Sequence, residues 1–171
     1  MIRRRRVVII VASAVIVALA TVVLLVAPRT AHLVLIDDFS DTLLFSVRVN
    51  EPEEFSVSFM HSVNISPVTE IFQIKEGQII LYALEFYTFG AGTQAELEPG
   101  QTLTRLPEGG MRIDGFDRVI VGLRYSIGHD TEHTLQVGAQ RVALDTLGAV
   151  GRPIRFDVEF WNLWQRVRTL I

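Results

Sequence analysis

The chain has 171 residues, 16 basic and 19 acidic, with 49% hydrophobic side chains and no cysteine. Lack of cysteine excludes a disulfide framework, thiolate metal sites, a Cys nucleophile and a lipid-modified N-terminal Cys. Four of the basic residues are Arg3–Arg6, so the rest of the chain is acidic and offers no electrostatic footprint for nucleic acid.

Residues 1–6 read as a basic cytoplasmic N-terminus. Residues 7–27 are apolar apart from Ser13 and Thr21. About 20 such residues at 1.5 Å rise span a hydrocarbon core, and a buried globular helix of that length would show a polar stripe. Arg3–Arg6 precede the run and only Arg29 follows closely. The positive-inside rule therefore predicts a single-pass anchor in the cell membrane, with the N-terminus cytoplasmic and the remainder outside. A cleaved signal peptide is the alternative. Its apolar core would be shorter, about 7–15 residues, and Pro28 suits cleavage poorly. A twin-arginine signal is a third reading, for which the apolar run is long.

Residues 28–171 are enough for one core and turn to period two. Strands are predicted at His32–Ile36, Leu43–Val49, Phe55–Val63, Val68–Lys75, Gln78–Phe89, Met111–Asp114, Arg118–Tyr125, His133–Val137, Gln140–Leu144 and Ile154–Phe160. About ten short strands rich in Val, Ile, Phe and Tyr predict an all-β domain, an antiparallel sandwich or a small barrel. Glu76-Gly77 and Gly138-Ala139 read as two-residue hairpin turns. The stretch Gly90–Gly110 is Gly-rich with no clear strand, and long loops of that kind are often functional or disordered. Near the C-terminus, Trp161 and Trp164 would share a helical face, packed on the core or at a membrane interface.

The stretch from Phe55 to Gly92 carries the candidate chemistry. His61 shares the odd, apolar face of its strand with Phe55, Val57 and Phe59, while Ser62 points the other way. Glu70 lies among Val68, Phe72 and Ile74. If residues 64–67 form the loop, His61 falls opposite Glu70 and the apolar residues pair among themselves. Directly opposed Cβ atoms lie about 4.5–5.5 Å apart, so a His–carboxylate contact is expected. Extending the pairing across Glu76-Gly77 sets Glu70 opposite Ala83, with Glu85 and Tyr87 on the same face. The expected cluster is His61, Glu70, Glu85 and Tyr87 at one end of an apolar face, beside Gly90 and Gly92. Such buried ionisable groups must be paired or shift their pKa. A structural polar cluster, a ligand pocket and an acid–base pair are all compatible with it; a Ser-His-Glu hydrolase is not, because Ser62 points away from His61.

His129 and His133 resemble a metal pair, but residues i and i+4 on a strand stand about 13 Å apart. Gly90-Ala91-Gly92 lacks the following helix that a phosphate-binding loop needs. Neither a metal nor a cofactor is expected.

At His61-Ser62-Val63, Pro67-Val68, Glu70 and Gly90-Ala91-Gly92 the chain resembles the prokaryotic family known as domain of unknown function 1850. The resemblance covers most of the β domain. It implies a short secreted or single-span protein encoded near TRAP-type transporters whose solute receptor is of the TAXI class, and an organic anion as their cargo. It implies no activity. The expectation is a membrane-anchored extracytoplasmic accessory or binding module working with such a transporter or its solute receptor. An extracytoplasmic enzyme using His61 with Glu70 or Glu85, or a purely structural envelope protein, is the alternative.

Overall fold

The computed structural model describes residues 2–26, 29–63, 65–88, 96–128, 132–148, 150–162 and 165. By internal contacts the chain divides into two units, Met1–Thr30 with Phe160–Ile171, and Ala31–Glu159. In the first unit, helix α1 (Ile2–Val26) carries the Arg run and the apolar stretch on one continuous helix. Among the described residues, no helix is long and apolar enough to cross a membrane. The single-pass anchor therefore rests on the sequence and is taken up below as a proposal.

Among the described residues eleven strands follow: β1 (Thr30–Asp37), β2 (Thr42–Arg48), β3 (Glu53–His61), β4 (Ser66–Lys75), β5 (Gln78–Phe86), β6 (Thr102–Arg105), β7 (Met111–Val119), β8 (Leu123–Ser126), β9 (Thr134–Val137), β10 (Gln140–Ala143) and β11 (Pro153–Trp161), with a 3-10 turn at Leu144–Leu147. They form two antiparallel sheets, β2-β1-β11-β8 and β10-β9-β3-β4-β5-β7-β6. Neither sheet closes on itself, which decides between the two expected architectures in favour of two stacked sheets.

Alternation drives the packing. On β3, Phe55 and Val57 are buried while Ser56 and Ser58 are half-exposed. The main core joins both sheets: Leu33, Leu35, Tyr125, Ile154 and Phe156 from the smaller meet Phe55, Val57, Phe72, Ile74 and Leu135 from the larger. Phe55 stacks on Phe72 at 5.0 Å and on Phe156 at 6.2 Å, a ring column through the sandwich. A second cluster, Val68, Leu84, Phe86 and Ile113 with Phe59, Met111 and Phe116 against it, comes from the larger sheet alone.

Three local expectations change. The region Gly90–Gly110 holds a strand after all, β6, which pairs with β7 from Thr102 opposite Asp114 to Arg105 opposite Met111. Instead of strands at Met111–Asp114 and Arg118–Tyr125, one long β7 is followed by a short β8, with Gly122 in a left-handed conformation (φ +67°) between them. And β11 runs through Trp161, so that residue is on a strand rather than a helix; Trp164 lies outside the described residues.

Candidate functional site

Two features of backbone register decide where the candidate residues go. Strand β3 ends at His61 and β4 begins at Ser66, with the Ile65 N–H donating to the His61 carbonyl at 2.9 Å. The expected loop at 64–67 is therefore displaced by two residues. His61 faces Ser66, Phe59 faces Val68 and Val57 faces Glu70. His61 and Glu70 do share the inward face, but Glu70 stands four residues further along β4 than the partner of His61, about 13 Å at strand rise. The expected His61–Glu70 contact is not made.

The second feature is a bulge. Ile74 faces Ile79 and Phe72 faces Leu81, as expected, but Ile71 then faces Ala83. Tyr82 is the extra residue. Past a one-residue bulge every side chain changes face, so Leu84, not Ala83, faces Glu70, and Phe86 faces Val68. Leu84 and Phe86 are buried, whereas Glu85 joins Thr69 and Arg112 on the other face. There the Arg112 guanidinium donates to Glu85 Oε1 at 2.9 Å and to Asp114 Oδ1 at 2.8 Å. Burial lowers the Arg112 pKa, but the hydrogen bonds it donates to Asp114 and Glu85 outweigh this and hold it above its ordinary value. Tyr87 is exposed, and its hydroxyl lies 3.5 Å from Glu108 Oε1. The four expected residues are thus divided between two faces and do not form one cluster. Gly90 and Gly92 lie outside the described residues.

Glu70 is instead partnered across the sandwich. The Tyr125 hydroxyl, from β8 of the smaller sheet, donates to Glu70 Oε2. Burial raises the Glu70 carboxyl above its ordinary value and the Tyr125 hydrogen bond acts the other way, with the net shift upward. Burial, then the nearby Glu70 charge, push the Tyr125 phenol well up, so it remains a donor. Around this pair, the Phe59 ring lies 6.0 Å from that of Tyr125 and stacks on His133 at 5.2 Å, while His133 meets Tyr125 edge-on at 5.6 Å. Burial lowers the His133 pKa, which favours the neutral imidazole near pH 7. His129 lies outside the described residues, and no group of three or more metal-ligating side chains occurs among the described ones.

A family model described as Domain of unknown function (DUF1850) matches residues 55–144. The chain belongs to this family. No curated protein and no solved structure matches it. The DUF1850 segment begins within β3 and ends at Leu144, where the 3-10 turn starts. It contains Glu70, Tyr125, Phe59 and His133, and also His61 with Ser66.

His61 is half-buried at the end of β3, and its Nδ1 accepts the Val63 N–H at 3.3 Å. In the neutral ring the proton then sits on Nε2. That nitrogen is a donor, a poor arrangement for a general base. Opposite it, Ser66 is buried and its Oγ has no hydrogen-bond partner among the described residues.

The sequence does not point to Tyr125 and His133 as neighbours of Glu70; His133 stands out there only as a metal pair with His129. Both carried a signal. His133 lies two residues before Leu135 and four before Val137, the buried positions of β9, so it continues their inward parity. Tyr125 shares parity with buried Leu123 and Ile127. Alternation points to partners for Glu70 along its own sheet, while the sandwich provides one from the opposite layer.

Proposed function

We propose that this DUF1850 protein is a membrane-anchored accessory domain, held outside the membrane by its N-terminal helix, which works by contact with a TRAP-type importer or its solute receptor. The observation that carries this is β6 with its approach. All four residues of β6 are exposed at the edge of the larger sheet, and exposed Leu97 and Leu103 alternate there with acidic Glu96, Glu98 and Glu108. Binding segments commonly sit on loops and edges carried by a rigid sheet. Arg3–Arg6 ahead of the apolar run supports the orientation.

An acidic docking edge calls for a basic surface on the partner and an association that weakens with salt. Co-purification of the full chain with its transporter at low and high ionic strength tests this, alongside solute uptake by cells carrying a shortened segment between Phe86 and Thr102. Loop shortening changes closure entropy little, so the fold should persist while uptake falls. Unchanged uptake, or a reporter after Ile171 that is active inside the cell, overturns the reading. Catalytic turnover by the purified full chain, abolished in His61→Ala, would replace it with the enzyme reading.

A further inference from the structure

The larger sheet has seven strands and the smaller four. Across β3, β4, β5, β7 and β6 one row of directly paired residues runs Phe59, Val68, Phe86, Met111, Arg105. The row begins beside Tyr125 and His133 and passes through the second, one-sheet cluster. It ends at a cavity of about 300 Å³ lined by Leu103, Arg105, Gly109 and Met111. Leu103 and Arg105 are two apart on β6 and face Ile113 and Met111, so all four belong to the inward face where the smaller sheet contributes no core residue.

Arg105 is the unusual member. On the neighbouring strand β7 both basic residues are engaged: Arg112 with Glu85 and Asp114, Arg118 with Glu98. Arg105 makes no ion pair or side-chain hydrogen bond among the described residues. A guanidinium is a planar fork of donors that matches a carboxylate in bidentate fashion. Beside it, Leu103 and Met111 offer apolar wall, and a methionine adapts to irregular shapes. Gly109, at φ +98° with nothing within 4 Å of a built Cβ, keeps that side of the cavity open. About 300 Å³ is at the small end of ligand sites.

We propose that this cavity binds a small carboxylate with a hydrocarbon body, the carboxylate on Arg105 and the body against Leu103 and Met111. A polyhydroxylated anion would find few donors there, and a neutral hydrocarbon would leave Arg105 unanswered. The site shares β6 with the docking edge, but what it requires is a cavity face and one cation rather than the acidic residues.

The test is methyl NMR of the full chain in lipid nanodiscs, labelled at the methionine methyl groups. Met111 lines the cavity, while Met1 and Met60 serve as internal references. Benzoate is the probe, with benzamide and inorganic phosphate as controls. Expected is a saturable shift of the Met111 resonance with benzoate, much weaker with either control. Arg105→Gln should weaken it roughly ten- to a hundredfold, the loss of a charge-assisted bond, with Arg105→Lys in between. No saturable benzoate shift overturns the site. So does an equal shift with benzamide, an equal shift with phosphate, or an Arg105→Gln chain that binds as before. Salt-sensitive co-purification of the native chain with the transporter reports on the docking reading separately. Its loss in the native chain would remove that reading and leave the carboxylate site standing.

Discussion

The two halves of the larger sheet bury their inward faces by different means. Over β9, β3 and the lower part of β4, Phe55, Val57, Phe72, Ile74 and Leu135 are covered by side chains of the smaller sheet. Over β5, β7 and β6, Leu84, Phe86 and Ile113 pack with neighbours of their own sheet, and Leu103 and Arg105 are left exposed. A face covered by a second layer has its apolar contacts fixed from both sides. A face served by one layer keeps room, and here that room is the cavity next to Arg105. Glu70 and Tyr125 sit where one regime gives way to the other, at the place where a polar bridge ties the layers.

The largest contrast should come from truncating a ring in each half. Phe156 is 1% exposed and stacks on Phe55 between the two sheets. Phe156→Ala should cost about 3–5 kcal/mol, the transfer of the ring plus the cavity it leaves. Phe86 is also fully buried, but among the described residues the cluster it packs in comes from one sheet. Phe86→Ala should therefore fall at or below the lower end of that range. Denaturant unfolding of the two variants, compared at equal m-value, checks the comparison. Equal losses would mean that the one-layer cluster is as rigid as the core between the sheets.

Tyr125→Phe comes next. It keeps the ring contacts with Phe59, His133 and Phe156 and removes only the hydroxyl that Glu70 accepts. A buried acceptor left without its donor costs about 1–3 kcal/mol. The loss should be greater at neutral pH than in acid, because only the ionised carboxylate depends heavily on the donor. A loss independent of pH would indicate that Glu70 is neutral throughout.

Glu70→Gln tests the same bridge with the opposite sign. The folded-state pKa of Glu70 is raised, chiefly by burial. Between the unfolded pKa, near 4.3, and that higher folded value, the native state binds more protons than the unfolded one. Stability attributable to Glu70 is thus greatest below the unfolded pKa and declines as pH rises through the window. Gln cannot ionise and can still accept from Tyr125. Glu70→Gln should match or exceed the native chain in thermal stability at neutral pH, with any advantage disappearing below about pH 4. A variant clearly less stable than the native chain at neutral pH would mean that the charged carboxylate is favoured in the fold, against the direction burial imposes.

These residues also mark how far alternation could be read. Most strands and both two-residue turns follow from parity and Gly placement: Gln78 pairs with Lys75 across Glu76-Gly77, and Gln140 with Val137 across Gly138-Ala139. Glu70 and His61 were correctly read onto the inward face. Their register was not, because Pro67 suggested a turn while it in fact pairs with Met60 inside the ladder. The bulge at Tyr82 was illegible for a different reason. On β5 the odd positions Ile79, Leu81 and Ala83 and the even positions Ile80, Tyr82, Leu84 and Phe86 are both apolar. Only Glu85 penalises the odd parity, and it reads as one more member of an inward polar cluster, so the switch of face in mid-strand is easily missed. Likewise β6 reads Thr-Leu-Thr-Arg, too short and too polar to stand out from the surrounding loop.

The smallest expected effect bears on that bulge. Without it, Glu85 would lie inward beside Glu70, a second carboxylate in an apolar layer. Removing its charge would then relieve like-charge repulsion and burial together, with a large gain insensitive to salt. With it, Glu85 is on the outer face, 26% exposed and paired with an Arg112 that also holds Asp114. Ion pairs at such exposure contribute about 0–1 kcal/mol and are screened by salt. Glu85→Gln should accordingly cost less than about 1 kcal/mol, and the difference should fade as salt is raised, since Arg112 retains Asp114. Urea titrations at low and high ionic strength measure both. A stabilising Glu85→Gln unaffected by salt would place Glu85 inside, remove the bulge, and return Phe86 and Met111 to the opposite face. The row leading to Arg105 would then not exist. The weakest perturbation on the molecule therefore tests the β5 bulge, a backbone irregularity on which the row leading to the cavity depends.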